Sequence, residues 1–155
     1  MIASPFRLCV TLLAASLAAS VHAAPLAVRE DAAAGTIAVF RPGVAEPVLV
    51  LNAAPGTRPY VHPLRSPDGK SILTEMRPAH HPHQTGIFWG LTRANGRDYF
   101  HNGGADYWRR VATRVLVASG EEVKWATEYH LLAADGSPML RDVQTWTMRD
   151  TGAQF

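Results

Sequence analysis

The chain has 155 residues, of which 47% are apolar, with 15 Lys and Arg against 13 Asp and Glu and a single cysteine. Although the pI is near 9.0, Arg109-Arg110 are the only adjacent basic residues, so no basic stripe exists to release phosphate counterions and a nucleic-acid surface is excluded. No segment after the N-terminus approaches the roughly 18 uninterrupted apolar residues of a spanning helix, so no stable membrane insertion is expected.

The first 23 residues read as a secretory signal peptide. Met1 to Arg7 is short with one positive charge, Leu8 to Val21 is apolar, and Val21-His22-Ala23 supplies a small-residue site with cleavage after Ala23. The apolar run has 14 residues, short of the roughly 20 that an anchor needs. Cys9 lies far from the cleavage point, which argues against a lipoprotein, and it leaves with the signal. The mature 132 residues then hold no disulfide, thiolate ligand or cysteine nucleophile. The expected location is periplasmic or secreted, with residues 24–155 forming one domain.

Strand signals dominate the mature chain. Thr36 to Phe40 and Pro47 to Leu51 are short apolar runs bounded by Gly, Pro and Asn. Arg58 to Leu64 is extended, with Pro59 and Pro63 pointing to an edge or irregular strand. Pro67-Asp68-Gly69 is a turn, and Ile72 to Thr74 a short strand after it. Gly86 to Leu91 and Arg97 to His101 flank Asn95-Gly96, the strongest short hairpin signal. A meander follows: Val111, Thr113, Val115 and Val117; then Val123, Trp125, Thr127, Tyr129 and Leu131 after Ser119-Gly120; then Gln144, Trp146 and Met148 after Asp135-Gly136. Such period-2 alternation predicts an all-β fold, an antiparallel sandwich or barrel. With no element after the last strand to close the final edge, self-association through an open sheet edge is expected.

Six histidines survive cleavage, three of them in His80-His81-Pro82-His83. In an extended chain His81 and His83 share a face, as do Tyr60 and His62. Such imidazoles, with a third from another strand, suit Cu or Zn. They equally suit acid–base work near neutral pH, or plain hydrogen bonding to turn carbonyls. Phe88, Trp89, Tyr99, Phe100, Tyr107 and Trp108 crowd the same region, as a sugar-stacking platform or as core; Trp125 and Trp146 read as core. No GxSxG, GxxxxGK[ST] or GxGxxG occurs. Asp98 and Asp106 are unpaired carboxylates, and an Asp beside an Asn-Gly turn is usually a turn residue.

One ordered series stands out: Arg58-Pro59-Tyr60-Val61-His62-Pro63-Leu64, Pro67-Asp68-Gly69-Lys70, Thr74, His81-Pro82-His83, Gly86, and Asn95-Gly96-Arg97-Asp98-Tyr99-Phe100. It resembles the bacterial family known as methane oxygenase PmoA, or PmoA-like, in detail from Arg58 to Trp108 and more loosely over the meander. The family motif reads Asp-His-Pro-His-His-Arg-Gly; here His80, Gln84 and Thr85 stand in place of its Asp, last His and Arg, which implies an altered or inactive member. The family name carries no function here, since a true methane monooxygenase subunit spans the membrane. The resemblance implies a galactose-mutarotase-like β-sandwich, of which this chain represents the first half, and in such folds histidines on the concave sheet act on sugars.

Three readings follow. The first is a carbohydrate-active or carbohydrate-binding sandwich for a small-molecule sugar, with His62, His81, His83 and Asp98 catalytic and Arg58, Tyr60, His80, Trp89 and Asn95 binding substrate. The second is a Cu or Zn protein ligated by His62, His81 and His83; a cupin-type site is less suited, because no Glu follows before Glu121. The third is an inactive fragment or interaction module.

Overall fold

The computed structural model describes residues 25–151; the expected signal peptide and its cleavage site lie outside them. Among these residues all regular structure is β, and no helix is long and apolar enough to cross a membrane. The strands are β1 (Leu26–Asp31), β2 (Thr36–Phe40), β3 (Leu49–Asn52), β4 (Tyr60–Leu64), β5 (Ile87–Phe88), β6 (Trp108–Val117), β7 (Ser119–Gly120), β8 (Glu122–Leu132) and β9 (Pro138–Arg149). They form two antiparallel sheets, β5-β4-β3-β2-β1-β7 and β6-β8-β9, that pack as an open sandwich rather than a closed barrel.

Alternation explains which side chains meet between the sheets. Ile37 and Val39 on β2, Leu49 and Leu51 on β3, and Val123, Trp125, Thr127, Tyr129 and Leu131 on β8 are all buried. Leu26, Val61, Trp108, Met148 and Tyr99 complete the same core. Three of the buried rings keep their polar ends bonded: Tyr99 Oη donates to the Leu132 carbonyl at 2.8 Å, Trp108 Nε1 to that of Asn102 at 3.0 Å and Tyr129 Oη to that of Ala54 at 3.1 Å, whereas Trp125 Nε1 is buried without a partner among the described residues. Large apolar area is thus buried without stranded donors at the first three positions.

Several expected elements differ. β1 was not foreseen, since its signal lies in pairing with β2 and β7 rather than in its own sequence. Ile72 makes only an isolated bridge to Arg65. Asn95-Gly96 does form a turn, with φ of 48° and 81° and an Arg97 N–H to Ala94 carbonyl bond, the two positive φ values of a type I′ turn. Its flanks, however, do not pair as a hairpin: the first shrinks to β5, which pairs with β4, and the second becomes a loop anchored by buried Tyr99. Pro63 is accommodated because β5 pairs only with Tyr60 and Val61, leaving that part of β4 as an edge next to the irregular pairing between Leu49 and Leu51.

On β6 the expected inward set is split by a bulge. Register shifts between Arg110 and Ala112, so Trp108 and Arg110 face Leu131 and Tyr129, whereas beyond it Thr113 and Val115 face Thr127 and Trp125. Val111 is the extra residue, 46% exposed. Val111→Thr is therefore expected to change unfolding free energy by no more than about 0.5 kcal/mol, a surface-like effect. Chemical denaturation checks it; a loss of several times that would return Val111 to the core.

Candidate functional site

At one end of the larger sheet, three loops meet over Arg58, which stands just before β4. Its backbone N–H donates to the Gly103 carbonyl at 2.9 Å, and its side chain is 2% exposed. The guanidinium donates to the carbonyl of His83 at 2.9 Å and to that of Phe100, and lies 3.5 Å above the Phe88 ring. Arg58 thus ties β5 and two loops together. Burial pushes its pKa down to about 10, with Asp98 pulling the other way, so it remains a cation at neutral pH.

The histidine loop is built from two successive turns. His81 N–H donates to the Pro78 carbonyl at 2.9 Å and Gln84 N–H to the His81 carbonyl at 3.0 Å, with Pro82 second in the latter turn, where its fixed φ fits. Arg77 N–H then donates to the Gln84 carbonyl, and Met76 bridges Thr85, closing the loop. The segment is not extended as expected: proximity of His81 and His83, with ring centroids 5.7 Å apart, comes from a turn.

The third loop carries Asp98. Its carboxylate accepts the N–H groups of Phe100 and His101, both at 3.0 Å, and pairs with His101 Nδ1 at 2.7 Å. These hydrogen bonds, the His101 backbone first, hold its pKa below the ordinary 3.8. Asp98 is therefore a turn residue that also fixes a ring, leaving Nε2 as the His101 nitrogen without a bond among the described residues. That ring lies 4.7 Å from His83, centroid to centroid. Between the loops is a cavity of about 300 Å³ whose lining includes Arg58, Arg77, His83, Thr85 and His101.

Burial, then the neighbouring His101 and His81, push the His83 pKa below 6.5. With the folded value depressed, the folded state binds protons less readily than the unfolded chain, so this group favours folding above pH 6.5 and loses that contribution as pH falls from 6.5 through the folded value. An NMR titration is expected to place the His83 midpoint below 6.5 and to move it upward, without full recovery, in His101→Gln. A midpoint at or above 6.5 in the native protein would contradict the arrangement.

The remaining expected site residues are dispersed. His62 pairs through Nδ1 with Thr74 Oγ1 at 2.9 Å, and that oxygen also accepts the Leu64 N–H at 3.0 Å. His80 is exposed, its ring 4.9 Å from that of His81. Tyr60 is half-buried on β4 opposite Phe88. Asn95 belongs to its turn. Trp89, 46% exposed, borders a different groove along β9 with Asp142, Gln144 and Trp146. Among the described residues, no three His, Cys, Asp or Glu side chains are placed to hold a metal ion, so His62, His81 and His83 do not form the ligand set considered from the sequence. Sequence reasoning missed Arg77, Thr85 and His101. The Asp98-x-x-His101 spacing was the readable signal, since an Asp in a turn caps the following N–H groups.

In comparison with known proteins, a family model described as a family of unknown function (DUF6807) matches residues 46–155. No curated protein and no solved structure matches the chain.

Proposed function

We propose, for a chain that belongs to the DUF6807 family of unknown function, that it binds a sugar in the Arg58–His83–His101 cavity and acts on it by acid–base chemistry. The carrying observation is the pair of imidazoles, 4.7 Å apart, at a cavity of about 300 Å³. One is held down in pKa and the other is fixed by a carboxylate. Two titratable groups with unlike environments are what proton exchange at a sugar needs. A small cavity with convergent polar groups suits a single sugar ring.

The simplest reaction of such a pair needs no cofactor. His83 takes the proton of the anomeric hydroxyl while His101 gives one to the ring oxygen. The ring C–O bond breaks, the carbonyl forms, and reclosure on the other face returns both protons. The PmoA-like resemblance and its galactose-mutarotase-like sandwich favour this reading by analogy, and Arg58 to Trp108, which carry the resemblance, lie within the matched residues. An exported protein would meet such sugars in the periplasm or outside the cell.

Calorimetry against a panel of neutral and acidic monosaccharides, followed by polarimetry of freshly dissolved anomers, tests the proposal. Binding of at least one sugar is expected, with catalysed anomer exchange lowered about 100-fold or more by His83→Ala, the usual scale of a lost acid–base group. Silence across the whole panel would remove the sugar reading; binding without turnover would reduce the site to recognition.

A further inference from the structure

The charges around the cavity go further than a neutral sugar requires. Arg58, Arg77, His83 and His101 border it, and no Asp or Glu is part of its lining. The nearby Asp98 carboxylate is already taken by two backbone N–H groups and His101 Nδ1. Hydroxyl groups donate as well as accept, so a neutral sugar is served by a mixed set of acceptors and donors. This lining offers mainly donors and positive charge, because a guanidinium can only donate.

The two arginines differ in what they have left to give. Arg58 spends its terminal nitrogens on loop carbonyls, while its Nε is buried without a hydrogen-bond partner, as is the Thr85 hydroxyl on the same cavity. Arg58 therefore contributes a field more than a free fork. Arg77 is exposed and fixed through its backbone, at φ 48°, in the left-handed region that non-glycine residues rarely occupy. Among the described residues nothing bonds its guanidinium. A planar fork at the rim of a cationic cavity matches a carboxylate in geometry and charge.

We infer that the ligand of this cavity is a carboxylate-bearing sugar, a uronate-type acid, whose carboxylate pairs with Arg77 in the field of Arg58. This rests on the sugar reading above and narrows it.

Calorimetry on the full chain decides it, with galacturonate and glucuronate set against galactose, glucose and inorganic phosphate. A uronate is expected to bind at least about tenfold more tightly than its neutral counterpart, and Arg77→Gln to remove most of that preference, as loss of a charge-assisted hydrogen bond would. Arg93→Gln serves as control, since Arg93 shares the left-handed backbone (φ 57°) but is not part of the cavity lining, and it should leave the preference intact. Equal or tighter binding of neutral sugars would overturn the inference while keeping the sugar reading. Phosphate alone binding, without any sugar, would overturn both. A uronate preference that survives Arg77→Gln would overturn the assigned partner.

Discussion

Arg58→Ala should lower the free energy of unfolding by about 4 kcal/mol, near the upper end for a single substitution. The cause is not a lost ion pair. The buried guanidinium is the donor for the carbonyls of His83 and Phe100, in two separate loops, and its plane covers the Phe88 ring at 3.5 Å. Removing it leaves two part-buried carbonyls without donors, at about 1 kcal/mol or more each, and a void against an aromatic ring. Arg58→Lys should recover only part of this, because a point ammonium cannot bridge two directions and stack at once. Urea denaturation of the three proteins checks the order; a change below about 1 kcal/mol for the alanine variant would mean that the loops are held elsewhere.

Gly86→Ala should be comparably severe, for a steric reason. Gly86 has φ +82°, and a Cβ built there would lie 2.2 Å from the Val61 carbonyl oxygen and 3.0 Å from His62 Cβ. Val61 is paired with Ile87 in the β4–β5 ladder, so the oxygen cannot retreat without breaking that ladder. Strained backbone alone costs about 1–3 kcal/mol, and the overlap adds to it. The expected total is about 3 kcal/mol or more, with β5 released and Phe88 withdrawn from Arg58. Gly96→Ala separates the two contributions: its φ is +81° but nothing lies within 4 Å, so only the left-handed penalty of about 1–2 kcal/mol applies. Equal costs at the two glycines, measured by thermal or chemical unfolding, would rule out the overlap.

The two positions also show what a sequence makes readable. Asn95-Gly96 announces its own turn because the chemistry is local. Gly86 looks like an ordinary strand boundary, since what forbids a side chain there is a carbonyl 25 residues earlier in the chain. The β8 alternation was legible for the same reason as the turn: Val123, Trp125, Tyr129 and Leu131 carry the pattern within themselves. The β6 alternation was legible only at Thr113 and Val115, because register shifts at Arg110/Ala112 and Val115/Val117 leave Val111 and Val117 exposed without leaving a mark in hydrophobicity.

The candidate site was legible in its centre and not in its boundary. Arg58, His83 and Asp98 were named from their neighbours and do converge. His101 and Arg77 join them through turn geometry, which spacing rules for strands do not capture. His62 shows the converse: its sequence setting invited a ligand role, but Thr74, 12 residues on, engages its Nδ1 nitrogen.

β7 belongs to one sheet by pairing and to the other by continuity. The chain leaves β6, sets Ser119 and Gly120 opposite Ala27 and Leu26, and re-enters the smaller sheet as β8, while Val28 N–H donates to the Ala118 carbonyl at 2.8 Å. Opening that hairpin therefore strips hydrogen bonds from β1 at the same moment. Amide protons on the two layers should then exchange through a shared opening event instead of two, so that the sandwich melts as one cooperative unit and not sheet by sheet.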